Sequence, residues 1–245
     1  MYSKKDRIKV EKQIIDFAKL DSNIIDCAIV GSKSVGNDDK WSDIDLAFGY
    51  EIDADINQIL RYWSKIMFES FGANKLFDMS YKESLYRVFL LPNALQVDLS
   101  FTPSDHFGAI TDNFKLIFGN QRKREFKSLP EINSIAGYTI LFALKTRTSI
   151  EREKYWQAQY YLTKCRENTM ILKCLKENLN SFDGRSFDEL TPSFLNQIQN
   201  TMINEPNKRN LENALKSMIH ILIKELSTVD SLNYKFINEL EIIGK

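Results

Sequence analysis

Apolar residues recur at helical spacing from the start of the chain. Ile8, Ile14, Ile15, Phe17, Ala18 and Leu20 fall among lysines and acids over residues 3–20, which predicts an amphipathic helix. Asp21-Ser22-Asn23 closes it, and Ile25–Val30 then reads as a buried strand broken by Gly31-Ser32 and a polar stretch to Lys40. A second strand is expected at Ile44–Phe48. Helical periodicity returns over 53–70 through Ile56, Ile59, Leu60, Trp63, Ile66 and Met67, and two further strands at Leu85–Leu91 and Ala94–Phe101 flank a turn at Pro92-Asn93.

After Pro103 strand-like runs disappear from the pattern, and long helical patterns occupy the chain from about residue 131. Residues 104–130, with the basic cluster Gln121-Arg122-Lys123-Arg124 and Pro130 at a helix entry, read as a linker. Helices are expected at 131–148, 151–179, 191–203, 207–228 and 233–243, an array that packs as a bundle. The expected fold class is α+β: a small mixed sheet with flanking helices over 1–125, then an all-α helical domain over 126–245.

Composition narrows the function classes. The 245 residues are 43% hydrophobic, enough for a sizeable core, and 33 basic side chains balance 33 acidic ones. The summed field therefore offers no general attraction to nucleic acid or anionic membrane. Cys27, Cys165 and Cys174 are odd in number and set in apolar segments, as expected of reduced core thiols. The charged opening MYSKKDRIKVEKQII has neither a signal-peptide pattern nor a spanning segment, so a cytoplasmic location is expected.

The chemistry concentrates between residues 31 and 46. Gly31-Ser32 ends a strand, where a residue without Cβ lets backbone amides approach a ligand and a serine hydroxyl can donate to a phosphate oxygen. Asp43 and Asp45 alternate on a strand, so both carboxylates point to one face, where they repel each other unless a cation intervenes; magnesium suits such hard oxygen ligands. Asp98, in Leu95-Gln96-Val97-Asp98-Leu99-Ser100-Phe101, is an acid in a strand otherwise built for burial, where an unpaired charge is unfavourable. If its strand lies beside that of Asp43 and Asp45, three carboxylates converge and can hold two metal ions for phosphoryl transfer.

This order, Gly-Ser, a gap, Ser42-Asp43-Ile44-Asp45-Leu46, then a later lone aspartate on a strand, resembles the nucleotidyltransferase superfamily that includes polymerase beta and the bacterial aminoglycoside and lincosamide nucleotidyltransferases. The resemblance covers about residues 25–101. It implies a polymerase-beta-like fold, with Gly31 and Ser32 holding a triphosphate and Asp43 and Asp45 binding two Mg2+ ions. Asp98 would complete the metal site nearest the acceptor, whose hydroxyl attacks the α-phosphate as pyrophosphate leaves. The second half resembles the helical domains of small bacterial members through Tyr155–Tyr161, Arg166, Gly184-Arg185, Asp188 and Leu190. Arg166 and Arg185 are its candidate nucleotide-binding residues, by their fit to phosphate. Relatives often carry a carboxylate near the position of Gln159, which leaves Asp98 as the candidate base.

Other residues have plainer readings. Lys33 is a phosphate contact or a solvated lysine; Asp38 and Asp39 are loop surface. Trp156, Tyr160 and Tyr161 stack on a base or, as aromatic stripes more often do, fill a core. His106 and His220 lack spaced partners for zinc. The expected activity is transfer of AMP from ATP to a hydroxyl of a small acceptor, with an aminoglycoside-type antibiotic as the class the resemblance suggests. The lack of an extended basic surface argues against long nucleic acid. Nucleotidylation of a protein or RNA, and a silent nucleotide-binding module, are the alternatives.

Overall fold

The computed structural model describes residues 2–122, 130–227 and 235–244. Contacts divide the chain into two compact units, Met1–Lys127 and Ser128–Lys245. The first opens with α1 (Lys4–Leu20), started by a capping box in which Ser3 and Asp6 exchange hydrogen bonds. There follow β1 (Ile24–Val30), β2 (Ile44–Tyr50), α2 (Ile56–Phe71), β3 (Asn74–Tyr81), β4 (Ser84–Leu91), β5 (Leu95–Pro103) and β6 (Phe114–Phe118).

The strands form one sheet in the order β3-β4-β5-β2-β1-β6, with β2 and β5 parallel and every other pair antiparallel. Alternation divides the sheet faces. Cys27 and Ile29 of β1, Leu46 and Phe48 of β2, and Val97, Leu99 and Phe101 of β5 meet Ile14 and Ala18 of α1 and Ile59, Leu60, Trp63 and Met67 of α2 in one core. Trp63 is fully buried against Phe48 and Phe101, and its indole N–H donates to Asp21 Oδ2 at 3.0 Å, which fixes the end of α1 to α2. The intervening residues of β2 and β5, Asp45 and Asp98 among them, face the other way.

Two strands escape the hydrophobic pattern. In β3 all residues before Tyr81 are exposed, Leu76, Phe77 and Met79 included, so no buried stripe betrays it. Strand β6 falls inside the stretch expected to be a linker, and that expectation is corrected here: Phe114–Phe118 pairs with β1 at the sheet edge. The loop is held because the Asn120 backbone N–H donates to the Asp26 carboxylate at 2.7 Å. Gly119, at φ 81°, has no room for a Cβ beside Asp26.

The second unit comprises α3 (Ile132–Glu151), α4 (Tyr155–Lys176), α5 (Pro192–Gln199), α6 (Lys208–Leu226) and α7 (Lys235–Ile243) around a separate core that includes Ala143, Leu162, Leu172, Leu215 and Leu222. The break between α3 and α4 comes later than expected, at a turn where Glu153 takes φ 56°. Lys123 and Arg124 of the basic cluster, residue 228 at the expected end of one helix and 233–234 at the start of the next lie outside the described residues. Cys27, Cys165 and Cys174 are free and buried, with burial pushing the thiols of Cys27 and Cys165 up to about 12. Trp63→Ala is expected to destabilise the protein by about 3–5 kcal/mol, read from urea unfolding, because it empties the contact between α2 and the sheet and removes the indole donor to Asp21.

Candidate metal and phosphate site

The site is built where three chain segments end on the same side of the sheet. Strand β1 runs into Gly31, whose φ of 70° and ψ of −158° turn the chain into a short 3-10 turn over Ser32–Val35. The turn is closed by Ser34, whose backbone N–H and hydroxyl both donate to the Gly31 carbonyl, the hydroxyl at 2.7 Å. A Cβ on Gly31 would collide with Oδ2 of Asp45. Glycine is thus required twice, for the left-handed turn and for the close approach of a carboxylate.

The parallel pairing of β2 and β5 sets Asp45 directly opposite Asp98. Asp43 precedes β2 on the same side, and one carboxylate oxygen from each of Asp43, Asp45 and Asp98 lies within 4.8 Å of the others. All three are half-buried. Two oxygens ligating one magnesium ion at about 2.1 Å stand no more than about 4.2 Å apart, so small side-chain adjustments bring this trio onto a shared hard cation. The donor set fits a divalent ion, and the glycine cradle behind Asp45 explains how a carboxylate is admitted so close to the turn.

Asp98 carries the electrostatic strain. Burial raises its carboxyl above the ordinary value; Gln96, whose Nε2 donates to both carboxylate oxygens at 3.0 and 3.1 Å, pulls it down, and the charge of Asp43 pushes it up again. Gln96 stands two residues before Asp98 on β5, which puts both on one face.

The loop between the turn and β2 is anchored from α1. Arg7 is buried, with its guanidinium donating to the carbonyls of Ser42, at 2.6 Å, and Asp39. Lys4 pairs with Asp38 at 3.1 Å, and Asp39 accepts from the backbone N–H of Trp41 and the hydroxyl of Ser42. Asp38 and Asp39, read from sequence as loop surface, are thus the fastening of the loop that presents Asp43. Lys33 reaches Glu11 at 2.7 Å, so its ammonium is engaged by a carboxylate of α1. Sequence reasoning missed Arg7 and Gln96; the only signal was an arginine and a glutamine on faces otherwise given to core or to Asp98.

Among solved structures the chain is similar to an aminoglycoside 6-adenyltransferase from Bacillus subtilis. The two are 14% identical, the match covers 99% of each chain, and the TM-score is 0.43. No family model and no curated protein matches the chain. At that identity and score the similarity adds no residue to the site, whose reading rests on its own geometry.

The second unit holds the remaining sequence candidates. Arg166, expected as a phosphate ligand, is buried inside the helical unit, where Nε and Nη2 donate to the hydroxyl and carbonyl of Thr201 at 2.8 and 2.6 Å. Arg185 is exposed at the end of a 3-10 turn over Phe182–Gly184. Trp156 and Tyr160 are exposed rather than core, while Tyr161 stacks on Phe142 with the Lys145 ammonium 5.2 Å from its ring centre. Gln159 Oε1 is buried with no hydrogen-bond donor among the described residues.

Two measurements test this geometry. Gly31→Ala is expected to weaken Mn2+ binding, followed by electron paramagnetic resonance, at least about tenfold with the far-ultraviolet circular dichroism unchanged, because the new methyl displaces a ligand. The raised carboxyl of Asp98 means that the folded metal-free protein binds a proton more tightly there than the unfolded chain does, so this group's contribution to stability falls as pH rises out of the carboxylate range. Asp98→Asn, measured with a chelator present, is therefore expected to be more stable than the parent at neutral pH. That difference should vanish below the ordinary aspartate value, where both states are protonated.

Proposed function

We propose that the chain is a divalent-cation-dependent nucleotidyltransferase that moves a nucleoside monophosphate, AMP from ATP, onto a hydroxyl of a small-molecule acceptor such as an aminoglycoside-type antibiotic. The observation that carries this reading is the meeting of Asp43, Asp45 and Asp98 beside the Gly31-Ser32 turn. Asp43 and Asp45 would hold both Mg2+ ions, and Asp98 the one nearer the acceptor. Bound there, the ions would supply charge neutralisation at the oxygens of the α-phosphate and of the leaving pyrophosphate.

The chain's own residues account for the rest. Backbone amides of the turn that begins at Gly31, with the Ser32 hydroxyl, donate to the outer phosphates, as concave runs of backbone N–H groups do elsewhere. The acceptor hydroxyl forms a bond from its oxygen to the α-phosphorus as the bond to the bridging oxygen breaks, and pyrophosphate departs with the electron pair. The hydroxyl proton passes to Asp98, whose burial favours the protonated form. Transfers of this type depend chiefly on positioning and charge neutralisation, so a weak base suffices. Arg185, exposed in the helical unit, would offer a guanidinium fork suited to phosphate.

The test is release of pyrophosphate from each nucleoside triphosphate with Mg2+ across aminoglycosides, lincosamides and short RNAs, with products identified by mass. Turnover with ATP and a small hydroxyl acceptor is expected, and Asp45→Asn should lower it by at least about a thousandfold, the scale of losing a charge-neutralising group. Failure of the protein to bind Mg2+ together with a non-hydrolysable ATP analogue would sink the reading; binding without turnover across the panel would favour a silent nucleotide-binding module.

A further inference from the structure

Strand β3 ends the sheet, and among the described residues no strand pairs with its outer side. The two-residue connection Lys82-Glu83 joins it to β4 and closes on Tyr81 and Ser84, which therefore exchange both main-chain hydrogen bonds. Alternation along an antiparallel ladder fixes the rest. Phe77, Met79 and Tyr81 turn their N–H and C=O groups to β4, and those of Asp78 and Ser80 point outward. Side chains divide between the two faces. Asp78 shares one face with Arg87, which donates to both its carboxylate oxygens at 2.7 Å, and with Lys75 at 3.2 Å, so the single acid of the strand is already paired. Phe77 and Met79, 52% and 53% exposed, stand with Tyr81 on the other face. Native sheets blunt such edges with bulges, proline or free charge. Here a bulge at Leu76 and the ammonium of Lys75 blunt the first half of the strand, and Phe77–Tyr81 carries no such device.

We propose that this edge pairs with the same edge of a second copy of the chain, antiparallel about a two-fold axis at Met79, so that two six-stranded sheets join into one. The pairing is independent of any reaction at the carboxylates. Symmetry selects its register. Outward groups must meet outward groups, which within the regular half of the strand leaves an axis at Asp78, Met79 or Ser80. An axis at Asp78 would oppose two carboxylates, and one at Ser80 would set Phe77 against the partner's Glu83. The axis at Met79 sets Phe77 opposite the partner's Tyr81 on both sides and Met79 against the partner's Met79, an apolar row with no charge in it. On the other face Asp78 and Ser80 exchange their main-chain bonds with the partner's Ser80 and Asp78, and the turn brings Glu83 beside the partner's Lys75, an opposite charge. A copy matches this pattern by symmetry alone. Nor does a long-range field oppose the encounter, since 33 basic side chains balance 33 acidic ones. Pairing over so short a segment belongs to the small interfaces that associate weakly and reversibly.

Sedimentation velocity on the full chain, from about 10 μM to about 1 mM, the range in which small interfaces form, tests the association. The mass is expected to move from one chain towards two. Amide hydrogen exchange at the two ends of that range, resolved by residue, should show the amides of Asp78 and Ser80 gaining protection with concentration while those of Met79 and Tyr81, already bonded to β4, stay as they are. Ser80→Pro removes an outward N–H and leaves the bonds to β4 intact, so it is expected to abolish the dimer with an unchanged far-ultraviolet circular dichroism spectrum. Met79→Lys sets two ammonium groups against each other at the axis and should weaken association about fivefold, with the loss shrinking as salt is added. A single chain at every concentration would overturn the proposal. So would a dimer whose Asp78 and Ser80 amides exchange equally at both ends of the range, or one that survives Ser80→Pro.

Discussion

The first unit depends on the parallel pairing of β2 with β5, because that one register decides both what the sheet buries and where its charges collect. With Asp45 opposite Asp98, the flanking Leu46 and Leu99 are also opposite each other and point into the core with Phe48 and Phe101. A slip of one residue would reverse every side chain of a strand, exposing the apolar set and driving an aspartate among helices. The hydrophobic effect therefore pins the carboxylates together against their own repulsion. The sheet's large apolar gain fixes a small, unfavourable charge cluster, and that cluster is what gives a divalent cation something to bind.

Supporting parts follow from the same arrangement. Gly31 makes space behind Asp45, Gln96 meets Asp98 from its own strand, and α1 contributes Arg7, Lys4 and Glu11 to the loop and turn on either side. Side chains on regular elements thus position a loop that would otherwise present Asp43 loosely.

Legibility in the sequence tracked how strongly burial patterns the residues. Strands β1, β2, β4 and β5 read clearly, since each lines the core on one face. Strand β3 is exposed on both faces and β6 is short and half-exposed at an edge, so neither carries an apolar alternation to read. The alternating Asp43 and Asp45 and the anomalous Asp98 stood out because acids in apolar strands call for a partner. Arg7 was invisible for the opposite reason: in an amphipathic helix rich in lysine and arginine, nothing in the spacing separates a buried cation from a solvated one. Arg166 was legible as an arginine suited to phosphate, whereas its contact with Thr201 beyond the end of α5 carries no signal in the sequence.

The fastening of the 38–43 loop has a consequence for how the protein responds to acid. A guanidinium stays protonated at every pH a folded protein survives, and the carbonyls of Ser42 and Asp39 that it holds do not titrate. Acidification that neutralises the aspartates and releases a bound cation would therefore leave this strut in place. Protons would loosen the carboxylate half of the fastening, at Asp38 and Asp39, while the contacts of Arg7 with the backbone persist.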